Sequence, residues 1–431
     1  MSAGQSRPPW VVRSMPALFC GLWLALFLAT TGMLAIGGQP DPSGLGHVLD
    51  GPWRFHAGDV ADGAAPQADY RGWDNITLTS NPDSRDGDVG IPGYLDGWRA
   101  RGHPELEGYG WYRRQVTLPQ QGGDLVLVGP PAVDDGYEMF WNGQRIGGIG
   151  RLSGTPQVNA TRPLLARLPV TPGERTGLLA IRAFMLPGFD RDGLSGGLRT
   201  VPVLASRAEG EALYRAEWNR TIAGYVVDAV EPVAMLVLAV FAILAAPALS
   251  RPGFARWVAL ALVASAGLRL GNAISAWTDL FGAPWILWQN GVILAPAAKL
   301  GWVLAWNRWT DGRDRRLVSA VAVVAWVVAI AGELFRNHFL AGTGRAVFAL
   351  CLVAIAIRVI RRGDHKWLAL AAMALTAIGL FAGDLSALGV PSIWFPFNIG
   401  VSRSQYAYAL LLPMLAFALV ALKRDRRDAS R

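Results

Sequence analysis

Five polar residues interrupt runs that are otherwise largely apolar. Asp228, Glu231, Arg269, Asn290 and Asp384 lie inside long hydrophobic stretches of the C-terminal half of the chain. Placing an ionised group in hydrocarbon is costly, so each of the four charges among them should face a partner or a watered interior. Asp228 and Glu231 are three residues apart and share one face of a helix. With Arg269 and Asp384 they could form one polar cluster, and all five residues fall at a similar depth toward the outer side of their runs. Two readings stay open for that cluster: a structural ion network with side chains that snorkel to the interface, or a sensing or transport site. Lys299 lies nearer the opposite end of its run and is read as a snorkelling lysine.

A second group of candidates lies N-terminal to these runs. Asp134 and Asp135 are adjacent carboxylates just before a strand-like stretch, suited to a metal or to sugar hydroxyls, and equally to shaping a turn. Tyr94, Trp98 and Trp111 could stack on the apolar face of a sugar, since aromatic rings combine area with rigidity. Trp111 adjoins a strand signal and is read as core, whereas Trp98 sits in the loop 93–102. Asp190 and Arg191 occupy a Gly-rich loop at 187–197. The histidines are scattered, and no phosphate loop, dinucleotide turn, zinc signature or nucleophile elbow occurs in a suitable context. The expectation is therefore no cofactor, no metal, no catalytic residue and no enzymatic activity. Cys20 and Cys351 each sit in an apolar run, and no disulfide is expected between them.

The elements that must position these residues follow from composition. The chain has 431 residues, 52% hydrophobic and 17% charged. The charged share is well below the roughly 25% of average soluble domains. Ala234–Leu249 and Ala407–Leu422 contain no charge at all. Repeated runs of that length exclude a single soluble domain, and their apolarity excludes disorder. After residue 223 seven spans are expected, at about 224–248, 255–275, 284–306, 316–335, 341–361, 366–388 and 405–422. Each holds about 18 residues or more, enough for about 30 Å of hydrocarbon.

The net charge of +8 reads as a topological label. With the N-terminal half outside, the inner segments carry 17 Lys and Arg and the outer loops of the bundle carry 3, which is the positive-inside pattern. This argues against nucleic acid as a partner. Only three lysines occur, and the arginine bias suggests a bacterial source. Residues 1–38 combine a basic flank with an apolar run of about 20 residues, longer than the usual signal core of roughly 7–15, and read either as a cleaved signal peptide or as a membrane anchor. Residues 39–205 are rich in Gly, Pro, Asp and Trp, with strand candidates at Tyr112–Leu118, Asp124–Val128, Tyr137–Trp141, Leu178–Phe184 and Val201–Leu204. Asn142-Gly143 after Tyr137–Trp141 is a strong type I′ hairpin signal. Many short strands with Gly/Pro turns point to an all-β sandwich. Residues 206–223 are expected to be a juxtamembrane connector, 224–422 a seven-helix domain and 423–431 a basic inner tail.

The motifs GYGWYRRQVTLP (108–119), LVLVGPPAVDDGYEMFWNGQ (125–144) and LLAIRA (178–183) occur in one order. That order resembles the sugar-binding, galactose-binding-like jelly-roll domain of family 2 glycoside hydrolases, and Gly51–Phe55 fits its first strand. The resemblance covers about residues 50–205 and implies a jelly-roll sandwich. In that family a catalytic barrel supplies two carboxylates; here the chain enters the apolar runs instead, so no hydrolase activity carries over. A β-sandwich followed by seven spans resembles, by arrangement, the bacterial seven-transmembrane receptors with diverse intracellular signalling modules.

The resulting expectation is a multi-pass protein of a bacterial inner membrane: an all-β jelly-roll ectodomain in the periplasm, an α-helical seven-span bundle, and the C-terminus in the cytoplasm. Its function is read as a receptor or sensor for a carbohydrate or envelope ligand that signals to a separate cytoplasmic protein. The basic loops 308–316 and 358–366 and the tail 423–431 are the surface available to that protein, or they simply hold topology against anionic lipid. A transporter or channel, and a membrane-embedded enzyme acting on envelope glycans or lipids, are the alternatives.

Overall fold

The computed structural model describes residues 17–23, 25–27, 30, 44–81, 83, 84, 91–119, 124–188, 193–362, 366–388, 390 and 403–428. Asp190, Arg191, most of segment 1–38 and the side chains of the basic tail lie outside the described residues. Trp23 is described: it is buried, and its Nε1 donates to Ala409 O at 3.0 Å.

Alternating apolar residues and Gly-bearing turns build two antiparallel sheets. Their strands are β1 His47–Val48, β2 Gly51–Ala57, β3 Asp74–Leu78, β4 Gly108–Thr117, β5 Leu125–Gly129, β6 Gly136–Trp141, β7 Gln144–Ile149, β8 Leu164–Arg167, β9 Thr176–Met185 and β10 Val203–Ser206. One sheet has the order β1-β10-β5-β8 and the other β3-β2-β4-β9-β6-β7. The Asn-Gly turn closes β6 onto β7: Trp141 pairs with Gln144, and Asn142 and Gly143 take φ of 48° and 86°. Positive φ at both centres is what that turn type requires.

Register sorts the larger sheet into rows. Phe55, Tyr112, Ile181 and Met139 lie side by side and share one buried cluster with Leu127, Ala166 and Leu204 of the smaller sheet. The neighbouring row, His56, Trp111, Arg182 and Glu138, faces the other way. Trp111 is still buried, because Trp73, Val60 and Ala64 fold over that outer face.

The outer face of the smaller sheet is covered by helix α1, Arg207–Ala245. This explains why all of β5 (LVLVG) is buried: Leu125 and Leu127 join the core shared with the larger sheet, while Gly210 of α1 lets the helix approach Val126 on the opposite face. Residues 206–223, expected as a juxtamembrane connector, are not a separate element. Residues 207–223 belong to one 39-residue helix that covers the sheet and continues into the apolar run, about 58 Å at 1.5 Å per residue.

The remaining helices are α2 Pro252–Trp277, α3 Ala283–Trp288, α4 Ala295–Trp309, α5 Arg315–Leu334, α6 His338–Arg362, α7 Lys366–Leu380, α8 Ala382–Ala387 and α9 Arg403–Asp428. Five helices among the described residues are long and apolar enough to cross a membrane: Arg207–Ala248, Pro252–Trp277, Arg315–Leu334, His338–Arg361 and Arg403–Leu422. Two expected spans are not single α-helices. The run at 284–306 is α3, a π-helical segment Gln289–Leu294, and α4. Pro296 has no N–H to give the carbonyl four residues back, and the ladder shifts so that Ala295 N–H bonds Asn290 O, five residues back. The run at 366–388 divides into α7 and α8. Apolar length alone does not register such breaks.

Small residues let the helices close up. A Cβ on Gly301 of α4 would lie 3.0 Å from Ala261 of α2. The bundle core is built on Trp302, Trp306, Phe254 and Phe348. At the end of α6, Arg358 is buried and donates to Asn307 Oδ1 at 2.8 Å and Asp314 Oδ2 at 2.5 Å. It staples the loop after α4 and is thereby withdrawn from the surface expected to meet a partner.

Candidate functional site

The sheets and the bundle meet along one seam. Asp279, just past α2, forms an ion pair with Arg162 and accepts Asn159 Nδ2 at 2.9 Å. Ala283 N–H donates to Val158 O at 2.9 Å, and Arg336 Nη1 to Pro187 O at 3.3 Å. Below this seam lies a cavity of about 650 Å³ lined from both sides, by Asp135 and Ala160 above and by Asp228, Arg269, Lys299 and Tyr408 below.

Arg269 of α2 organises the polar wall. Its Nη1 lies 2.7 Å from Asp228 Oδ1, its Nε 2.9 Å from Glu231 Oε2, and its Nη2 donates to Ser404 Oγ at 2.8 Å. The contact with Glu231 is an ion pair without hydrogen-bond geometry, since neither Glu231 oxygen has a hydrogen-bond partner. Gln405 Nε2 also donates to Asp228 Oδ1, at 2.7 Å. The guanidinium stands 5.3 Å from the Tyr408 ring centre. Tyr408 OH in turn lies 2.9 Å from Ser265 Oγ and accepts Trp302 Nε1 at 3.0 Å. One charged group thus ties α1, α2 and α9 together at the cavity wall, an arrangement that resists movement of any one helix alone.

Of the five residues singled out in the apolar runs, Asp228, Glu231 and Arg269 are brought together. Asp384 is not. Its Oδ1 pairs with Arg345 Nε at 3.0 Å, and Arg345 also lies 3.9 Å from Glu333. The four-residue cluster is corrected to a triad, because the break between α7 and α8 directs residue 384 toward α6. Asn290 joins neither group: its Nδ2 donates to Asn272 Oδ1 at 3.3 Å, and its own Oδ1 has no hydrogen-bond partner. Lys299 does not snorkel. It is 9% exposed, lines the same cavity, and its Nζ stands 5.9 Å from the Phe381 ring centre.

Sequence reasoning missed Ser404, Gln405 and Tyr408. Their spacing places them on one helical face, but being uncharged they do not stand out from a span end.

In the sheets, Trp98 is 1% exposed, tilted against Phe55 at 5.9 Å, with Nε1 donating to Leu106 O at 3.1 Å. Its expected role as an open stacking surface is corrected: the loop folds inward because Gly110, Gly196 and Gly197 leave room for the indole. Asp134 accepts Gly196 N–H and lies 3.4 Å from Arg199 Nη1. Arg199 in turn lies 4.6 Å from the Tyr94 ring centre. Tyr94, Asp134 and the 194–199 loop therefore form one structural group, and Tyr94 keeps part of its surface open. Asp135, at φ 68°, accepts Leu186 N–H at 2.6 Å and reaches the cavity. Both carboxylates are engaged by backbone N–H groups, which is turn-shaping work.

No protein-family model matches the chain, and no curated protein matches it. Solved structures do. A β-glucuronidase of Bacteroides uniformis matches at 19% identity over 37% of this chain and 17% of that one, with a TM-score of 0.26. A β-glucuronidase of Faecalibacterium prausnitzii matches at 22% identity over 38% of this chain and 31% of that one, with a TM-score of 0.26. A family 2 glycosyl hydrolase of Bacteroides cellulosilyticus matches at 18% over 37% and 20%, with a TM-score of 0.25. The chain spans a third or less of the length of each. These neighbours are enzymes, and on that finding the expectation of a chain without enzymatic activity is corrected and set aside.

Proposed function

We propose that the chain is a receptor or sensor of a bacterial inner membrane. In this reading a periplasmic jelly-roll domain binds a carbohydrate or envelope ligand, seven membrane passages relay the bound state, and a cytoplasmic signalling protein receives it at the inner face. The broken helix at 283–309 and the pair α7 and α8 complete the seven passages in the bilayer. The observation that carries the reading is mechanical. β10 ends at Ser206, α1 starts at Arg207, and the same helix carries Asp228 and Glu231. A displacement of the smaller sheet therefore reaches the Arg269 triad without crossing a flexible linker. Tyr94 is the proposed ligand contact among the described residues.

The full chain in lipid nanodiscs tests this. A glycan and peptidoglycan-fragment library is screened by thermal shift, and hydrogen exchange is then followed with the best binder. The reading expects stabilisation by a binder, weaker binding in Tyr94→Ala, and altered exchange around residues 225–235. It expects that exchange response to shrink in Asp279→Ala, which opens the seam. A binder that leaves residues 225–235 unchanged, or a library with no binder, would sink it.

One observation favours a second reading, transport. A discontinuous helix beside a polar cavity is a mark of secondary transporters, and Gln289–Leu294 adjoins this one. Saturable uptake of a binder into proteoliposomes would move the assignment there.

A further inference from the structure

The cavity holds two cations in very different states. Arg269 is engaged by two carboxylates and a hydroxyl. Lys299 makes no ion pair and no hydrogen bond among the described residues; its contact is the face of Phe381 at 5.9 Å. The acidic groups whose charges bear on it, Asp384 and Glu333, are both taken by Arg345, at 3.0 Å and 3.9 Å. An ammonium buried in a bundle with no anion beside it is unfavourable, unless something in the cavity completes it.

The surroundings state what that something is. Beside Lys299 on α4 the wall carries Ala295 and Ala298, and Leu268, Leu287 and Leu380 line the cavity together with the polar groups of Ser265, Asn272, Ser275 and Tyr408. A small, strongly hydrated anion seeks several donors at once, whereas the leucines and alanines of this lining suit an alkyl chain attached to the anionic group. Leu287 lines the cavity and is itself 37% exposed. Its volume of about 650 Å³ falls within the roughly 300–1,000 Å³ of ligand pockets.

We propose that this cavity is a binding site for an anionic amphiphile, whose carboxylate or phosphate head pairs with Lys299 and whose apolar chain lies along Leu268 and Leu287. The Arg269 triad forms the opposite wall and stays closed on itself. The site is independent of whether the outer domain binds sugar.

The test uses the full chain in phosphatidylcholine nanodiscs and radiolabelled laurate, with binding to empty nanodiscs subtracted. Wild-type protein is expected to bind laurate saturably. Unlabelled laurate and dodecyl phosphate should displace it, while dodecanol, with the same chain and no charge, and acetate, with the charge and no chain, should not. Lys299→Met should weaken laurate binding about tenfold or more, the worth of a charge-assisted hydrogen bond, and Lys299→Arg should retain it. Four results would overturn the proposal: no saturable binding, displacement by dodecanol as good as by laurate, displacement by acetate alone, or wild-type affinity in a folded Lys299→Met variant. The wild-type displacement series decides the matter even if Lys299→Met fails to fold.

Discussion

Ser206 and Glu209 lock the end of the last strand to the start of the long helix α1. Glu209 N–H donates to Ser206 Oγ at 3.4 Å, and Ser206 N–H donates back to Glu209 Oε2 at 3.1 Å. Ser206 is at the same time paired with Leu125 in the sheet. This reciprocal cap makes the junction stiff where a linker would be loose. Ser206→Ala is expected to cost about 1 kcal/mol and to speed amide exchange in residues 207–212 of the full chain. Unchanged exchange there would show that packing on the sheet, rather than the cap, holds the junction.

Removing the central cation should be far more damaging than removing a surface charge. Arg269→Met leaves Asp228 and Glu231 buried without their counter-charge, a loss of about 3–5 kcal/mol for a broken buried pair. The triple variant Arg269→Met, Asp228→Asn, Glu231→Gln should recover a large part of that stability. Thermal unfolding in nanodiscs reads both, and a triple variant no better than the single one would contradict the electrostatic account.

Trp98 separates a core role from a ligand role. As a buried indole among Phe55 and three glycines, its truncation to Ala should cost about 3–5 kcal/mol. A stacking residue on an open surface would instead lower ligand affinity and leave the unfolding midpoint in place. Measuring both in Trp98→Ala distinguishes the two outcomes.

Glu174 provides a pH test. Partial burial pushes its carboxyl up, but hydrogen bonds from Thr171 N–H, Asn142, Thr171 Oγ1 and Trp141 outweigh that and hold it below its ordinary value of 4.5. A carboxylate depressed in the folded state contributes stability that is fully present above the unfolded value and is lost as pH falls through the folded one. Protection of the Thr171 amide, corrected for intrinsic exchange, should thus persist through pH 5 and fall only at more acid pH. Glu174→Gln should lack that acid step.

Much of the architecture is legible in the residues because it rests on local rules. The Asn142-Gly143 signal marks the hairpin of β6 and β7, and the charge-free runs mark the long helices. The pairing of Asp228 and Glu231 with Arg269 is also legible, since charges in hydrocarbon must find one another. The places of Asp384, Lys299 and Trp98 are not. Each depends on a break or a turn, between α7 and α8, at Gln289–Leu294, or at Gly196 and Gly197, that counts of apolar residues do not record.

By itself, the sequence determined the division into a strand-rich part and an apolar helical part, and which charges would need partners, because burial costs act on every residue wherever it sits. Tertiary structure alone decided which partners they obtained. It set Asp384 on Arg345, closed the triad with Ser404 and Gln405, turned Asp134 and Asp135 to backbone N–H groups, and aimed Lys299 into the cavity. The physical reason is that hydrogen bonds and ion pairs act over about 3 Å, so contacts between residues far apart in sequence exist only once helix breaks and packing have fixed the distances between them.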